Sequence, residues 1–259
     1  MEIIRSMKHE KVSKIIDLCD LSHRNHSPYI PVYGSEALEW AIKADFNIET
    51  IFISESHNIP SFICETQKTE ILYISEFLNK KITNLSHVLD LCALVCKKDE
   101  NIYTVMNNKE NIVILDQVLD HGNIGTIVRT MRCFGYNNMI FTNYEMDLYY
   151  KNIVNASRGE AFKVIHQSME MNQLINILKN HDYKIYSTAA NYSLNINDLS
   201  TKINDHYAII LGNETSGIDQ KLLELSDIII GCPMQNGIDS LNVGVAAGII
   251  FNKMSLLSN

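Results

Sequence analysis

Ala208-Ile-Ile-Leu-Gly-Asn-Glu-Thr-Ser-Gly217 decides how this chain is read. An apolar run suited to a buried strand stops abruptly at glycine and polar side chains. Gly212 and Gly217 permit close backbone approach and unusual dihedrals, and Glu214 holds a carboxylate at the strand's end. Open α/β sheets bind ligands at such ends. No Gly-Lys-Ser/Thr follows to make a Walker loop, and no G-x-G-x-x-G follows a strand to mark a dinucleotide site. Taken alone, the stretch is equally consistent with a plain strand-to-helix loop.

Two further segments repeat the arrangement. Asn123-Ile-Gly-Thr-Ile-Val-Arg129 follows the strand-like Ile112-Val-Ile-Leu-Asp116, and Pro233-Met-Gln-Asn-Gly-Ile-Asp-Ser-Leu-Asn242 leaves Ile228–Ile230 through Gly231-Cys232. A helix beginning at Ile124 would place Arg129 about a turn and a half in, near an end that attracts anions. There its guanidinium could fork onto phosphate or carboxylate; a solvated arginine on an ordinary helix is the alternative. In the third segment Asn236-Gly237 predicts a tight turn, and Ser240 or Asp239 could cap a long apolar helix over 240–254. Capping alone leaves Asn242 and Pro233-Met234 unexplained. Three such strand ends within one domain-sized region point to a single composite site.

Around these segments, strands and helices alternate. Strands are expected at 112–116, 139–142, 184–187, 207–211 and 227–232, with helices over 124–134, 148–157, 174–180 and 240–254. That rhythm implies a mainly parallel sheet covered on both faces. The first hundred residues suggest a smaller α/β domain, with an amphipathic helix over 8–20, strands at 29–33, 51–53 and 71–74, and a helix over 36–43 that Ser35 caps. The stretch 86–96 fits strand or helix, so Cys92 and Cys96 are expected as two buried thiols on one helix face. Polar residues around 98–111 predict a linker over 101–111, dividing a domain at 1–100 from one at 112–259.

At 259 residues, with 46% hydrophobic content and a net charge of −8, the chain has the balance of a folded protein. The acidic total argues mildly against a partner held mainly through phosphates, although a local basic face can coexist with it. Dividing the chain at residue 100 leaves neither part basic. No apolar stretch reaches the roughly 20 residues that span a bilayer, and the N-terminus lacks a signal-peptide core. A cytoplasmic location without membrane attachment is therefore expected. The six cysteines form no C-x-x-C pair and the nine histidines no ligand spacing. Reduced thiols and no metal are expected.

The three segments resemble the motifs of the SpoU (TrmH-like) family of RNA ribose 2'-O-methyltransferases within the SPOUT superfamily: N-x-G-x-x-x-R, then L-G-N-E-x-x-G, then P-M with S-L-N-V. All occur here in that order, with Ala156-Ser-Arg-Gly159 resembling the intervening A-S-x-G. The resemblance covers about 112–254. The N-terminal part is similar to the L30e-like RNA-binding domain often fused to this module, on Val32-Tyr-Gly34, Ala37 and the β-α-β rhythm.

The resemblance implies a trefoil-knotted parallel sheet, a homodimer, and S-adenosylmethionine bound largely by backbone groups of the knot loops. It assigns Leu211, Gly212, Cys232, Met234 and Leu241 to the cofactor, with Thr188 and Ala189 as further contacts. Arg129 matches the family's key arginine, and Asn123, Glu214, Ser240 and Asn242 match the remaining polar catalytic positions. The implied substrate is RNA, ribosomal RNA favoured over transfer RNA. A non-catalytic RNA-binding or assembly factor on the same fold is the competing reading. Two positions depart from the family pattern. Asp120-His121 replaces D-P, which predicts a less rigid entry to the first segment, and Gly244 replaces a small polar residue, which predicts a looser last helix.

Overall fold

The computed structural model describes residues 2–24, 27–63, 69–99, 101–143, 146–200, 203, 206–235 and 240–257. The expected turn at Asn236-Gly237 and the capping alternative Asp239 lie outside the described residues. The chain forms two compact units. The first holds the residues up to Asp99 together with Tyr149–Phe162, and the second holds the remainder.

The first unit begins with β1 (Ile3–Ile4), α1 (Glu10–Asp17), α2 (Leu21–Arg24), β2 (Tyr29–Tyr33) and α3 (Ser35–Lys43). It continues through β3 (Ile48–Ser54), β4 (Glu70–Ile74), α4 (Glu76–Thr83) and β5 (Leu91–Cys96). The sheet order is β1-β4-β3-β5-β2; β1, β4 and β3 run parallel, and β5 lies antiparallel between β3 and β2. The segment left open at 86–96 is thus a strand over its apolar part. Cys92 and Cys96 stand on that strand rather than on a helix, Cys92 buried and Cys96 half-buried. Gly34, at φ 88, takes the N-cap position of α3 and makes no side-chain cap, so Ser35 is the helix's first residue instead of its cap.

The stretch expected as a linker is folded. Asn101 caps α5 (Ile102–Asn107), and Ile102, Val105 and Met106 are buried in the second unit's core. Their apolar spacing was masked by flanking asparagines and lysines. Next come β6 (Ile112–Asp116), α6 (His121–Cys133) and β7 (Asn138–Phe141). The chain then returns to the first unit for α7 (Lys151–Ala156) and the adjoining Ala156–Gly159. Phe46 meets Tyr149 and Phe162 edge-on with centroids 5.8 and 5.3 Å away. Gly159, at φ 80, lies against Trp40 so closely that a Cβ would overlap its ring. A single boundary near residue 100 therefore leaves out part of the first unit.

The second unit closes with β8 (Ile165–Ser168), α8 (Met171–Asn180), β9 (Lys184–Thr188), β10 (Leu194–Asn195), β11 (Tyr207–Gly212), α9 (Gln220–Leu225), β12 (Ile228–Gly231) and α10 (Val243–Leu257). Its seven strands are ordered β10-β12-β9-β11-β6-β7-β8, and every neighbouring pair is parallel. Successive residues of a strand face opposite sides. Ile112, Ile114, Ala208 and Ile210 meet α5, α8 and α9 through Val105, Leu174, Leu178 and Leu222. On the other side α10 packs against α6 and β11, burying Val128, Met131, Ala247 and Phe251. Both faces are covered, which is why the strands read as continuous apolar runs. No described helix is long and apolar enough to cross a membrane.

Candidate active site

At the C-terminal ends of β9, β11 and β12, loops surround a cavity of about 380 Å³. Thr188, Ala189, Leu211, Gly212, Cys232, Met234 and Leu241 all line it, as do Glu214 and Ser240. A cavity of this size falls in the usual range for small-molecule sites. Its walls combine small residues (Gly212, Gly217, Gly231, Ala189, Ala190) with apolar Leu211, Ile230, Met234 and Leu241 and the polar loop after β11. Gly212 is needed for shape: a Cβ there would lie 2.5 Å from the Gly217 carbonyl carbon and 2.6 Å from Ile218 Cγ1. Burial pushes the Cys232 thiol up from its ordinary pKa, so it is an uncharged wall.

The loop after β11 is built by Asn213. Its Oδ1 accepts the amides of Thr215 and Ser216 at 2.8 and 3.1 Å, its Nδ2 donates to the Gln117 carbonyl at 2.9 Å, and its backbone exchanges hydrogen bonds with Gly217. Beneath it, Asp116 is 1% exposed. Its carboxylate accepts the Thr142 hydroxyl at 2.6 Å and the Asp219 amide at 2.7 Å, tying the ends of β6 and β7 to the start of α9. Gln117, at φ 54, donates its own amide to Thr142 Oγ1 at 3.2 Å. Sequence reading passed over Asp116, Gln117 and Thr142. The available signal was an acidic residue closing an otherwise apolar strand.

Three of the five polar candidates form one hydrogen-bonded chain. Asn123 Nδ2 donates to Glu214 Oε1 at 2.5 Å, and Asn242 Nδ2 donates to Asn123 Oδ1 at 2.9 Å. Asn242 Oδ1 in turn accepts the amides of Gly244 and Val245 at 3.0 and 3.3 Å. Asn242 is therefore the cap of α10, the task expected of Ser240 or Asp239. Ser240 is exposed and free for a ligand at the cavity. One helix cap, one strand-end carboxylate and one first-turn asparagine thus fix each other's rotamers.

The first segment differs from expectation in register. Asp120 caps α6 by accepting the Asn123 amide at 2.7 Å, so the helix starts at His121 rather than Ile124. Asn123 then sits in the first turn, and Arg129 lies more than two turns in. The dipole effect fades within the first turn, so Arg129 does not share the helix-terminal field. It is exposed, does not line the cavity, and makes no hydrogen bond or ion pair among the described residues. His121 stands at the position proline favours, and the helix forms there regardless because Asp120 caps it. Burial holds its imidazole below the ordinary value, against the opposing pull of Asp120.

The second departure also reads differently in three dimensions. A Cβ on Gly244 would lie 3.0 Å from Thr126 Cγ2 and 3.2 Å from Asn242 Oδ1. Gly244 lets α10 approach α6 closely beside the capping asparagine, so it tightens the helix pair where a looser helix was expected. Among the described residues no cluster of three or more His, Cys, Asp or Glu could hold a metal.

Residues 110–252 match the SpoU rRNA Methylase family. An uncharacterized tRNA/rRNA methyltransferase of Borreliella burgdorferi is 32% identical over 203 residues, covering 73% of this chain and 88% of that protein. The 23S rRNA (guanosine(2553)-2'-O)-methyltransferase RlmP of Bacillus subtilis is 25% identical, with 96% of this chain and 98% of that one aligned. Among solved structures, the SpoU methyltransferase AviRb from Streptomyces viridochromogenes in complex with AdoMet superposes with a TM-score of 0.84 at 18% identity. That alignment covers 96% of this chain and 98% of that chain.

Proposed function

We propose, from the premise that this chain belongs to the SpoU rRNA Methylase family, that it transfers a methyl group from S-adenosylmethionine to a ribose 2'-hydroxyl of RNA. The observation that carries the reading is the Asn242–Asn123–Glu214 chain, joined at Glu214 to a cavity lined by every residue expected to hold the cofactor. In that cavity S-adenosylmethionine would supply an electrophilic methyl group on a sulfonium. Leu211, Gly212, Cys232, Met234 and Leu241 hold it, with Thr188 and Ala189 on the adjoining wall. Ser240, Asn123, Asn242 and Glu214 orient the ribose and the methionine end by hydrogen bonds, which converts an encounter into an aligned displacement.

Arginine side chains do not serve as proton acceptors in proteins, so the task assigned to Arg129 is electrostatic. An exposed guanidinium without a described partner is available to fork onto a substrate phosphate and to stabilise negative charge developing on the 2'-oxygen. An inactive binding factor is disfavoured because all five polar positions are filled and three are mutually bonded. Ribosomal RNA is favoured over transfer RNA by the relative RlmP, which aligns along nearly the whole chain, first unit included. The first unit serves RNA binding in this reading, and the protein acts in the cytoplasm. The insertion of β12 between β10 and β9, although it is the last strand in sequence, supports the knotted chain path expected of the family. The exposed Val245, Ile249 and Leu256 share one face of α10 and support that face as the homodimer contact.

The deciding experiment maps 2'-O-methylated nucleotides in RNA treated with purified protein and S-adenosylmethionine. Arg129→Ala should abolish the labelling. Methylation on a base atom would overturn the ribose assignment, and a monomer by light scattering at micromolar concentration would overturn the dimer.

A further inference from the structure

The wall formed by Ala189, Ala190, Gly231 and Cys232 joins two stretches of chain, the loop after β9 and the end of β12. Backbone hydrogen bonds tie that loop to β12 at two points: Ala189 N to the Ile230 carbonyl at 3.1 Å, and Ser193 N to the Ile229 carbonyl at 3.0 Å. Ser193 Oγ adds a bond from the Ile229 amide at 3.3 Å. Between the two ties stand Ala190, Asn191 and Tyr192. The half-buried Tyr192 lays its ring directly on Gly231: a Cβ built there would overlap the ring and lie 2.6 Å from the Ala189 carbonyl oxygen. Gly231 is thus vacant of side chain where an aromatic ring and a carbonyl both need to come in. Its backbone φ is not in the left-handed region, so close approach alone accounts for glycine.

We propose that Tyr192 is a positioning residue for the cofactor site, its ring stacked on Gly231 to hold the 189–193 loop against β12 and set the width of the cavity. The proposal rests on the cofactor reading above and extends it to a residue outside the cavity lining and outside the three motifs. Tyr192 acts through Ala189, Ala190 and Gly231, which present backbone to the nucleoside, so its loss loosens the binding wall without touching the groups that align the ribose. The aromatic body does this work, and the hydroxyl is dispensable.

Calorimetric titration of the full chain with S-adenosylmethionine tests it. Tyr192→Ala and Gly231→Ala should each weaken binding by about tenfold, whereas Tyr192→Phe should bind as the parent does. In methyl-transfer assays the KM for S-adenosylmethionine should rise while kcat at saturation stays within about twofold. The ring and an added Cβ compete for one volume, so Tyr192→Ala should cost less in the Gly231→Ala background than alone. Should Tyr192→Ala fail to fold, Tyr192→Leu takes its place with the same expectation. Binding unchanged by loss of the ring, an equal loss in Tyr192→Phe, or strict additivity of the pair would overturn the proposal. A parent chain that fails to bind S-adenosylmethionine would overturn the cofactor reading itself, and this proposal with it.

Discussion

Replacing Asn123 by aspartate would set two carboxylates against each other where the native pair is a donor and an acceptor. Asn123 Nδ2 donates to Glu214 Oε1 at 2.5 Å, while Asn123 Oδ1 accepts from Asn242 at 2.9 Å. In Asn123→Asp the Asn242 bond survives, because its partner atom is still an oxygen. The other contact becomes acceptor against acceptor. A hydrogen bond to a charged group contributes about 1.5–3 kcal/mol; charge repulsion adds to its loss, and solvent screening at the exposed Glu214 offsets part of it. We therefore expect kcat/KM at neutral pH to fall by roughly 10- to 100-fold. The double variant Asn123→Asp/Glu214→Gln places an amide donor opposite an acceptor again and should regain most of the loss. The assay is the initial rate of labelled methyl transfer to RNA at neutral pH. Parental rates for Asn123→Asp, or a deficit unrelieved by Glu214→Gln, would refute the relay.

Asp116→Ala strands the Thr142 hydroxyl and the Asp219 amide, so unfolding free energy should drop by about 3 kcal/mol, read as an earlier midpoint in urea. Asn213→Ala removes three hydrogen bonds from the loop after β11; S-adenosylmethionine affinity should fall by about tenfold in calorimetry, with the global unfolding midpoint little changed. Gly244→Val forces branched carbons against Thr126, and overpacking of this kind costs about 1–3 kcal/mol, measurable by denaturant titration. Cys232 is raised above its ordinary thiol pKa by burial, so at pH 8 it should alkylate more slowly than the exposed Cys133, and more slowly still with S-adenosylmethionine present. Peptide mass spectrometry after timed iodoacetamide treatment checks both rates.

What was legible in the sequence followed burial. β6 and β11 are central parallel strands, so Ile112–Leu115 and Ala208–Leu211 had to be apolar on both faces and stood out. β8 and β10 lie at the sheet's edges, half-buried, and carry histidine, glutamine and asparagine, so no run marked them. The helix α5 hid because its polar neighbours outnumber its three buried side chains. Site residues on one motif could be paired by type and spacing, but their support could not. Asp116 meets partners 26 and 103 positions away, a relation set by strand order rather than by any local period. The cap of α10 was misplaced for a similar reason: serine, aspartate and asparagine all suit the role, and only the backbone's turn-off point selects Asn242.

The composition of the first unit from two stretches of chain bears on how such proteins can be recombined. Residues 149–162 supply Tyr149 and Phe162 to the aromatic group around Phe46, and Gly159 to the space beside Trp40. A recombinant that joins only the first hundred residues of this chain to the remainder of a relative would carry a recipient surface without its matching insert. Phe46 would lose two aromatic neighbours, and any residue other than glycine at 159 would collide with a tryptophan at 40. Exchanging the first unit between members of the family therefore calls for three crossovers, moving 1–99 and 149–162 as one heritable block.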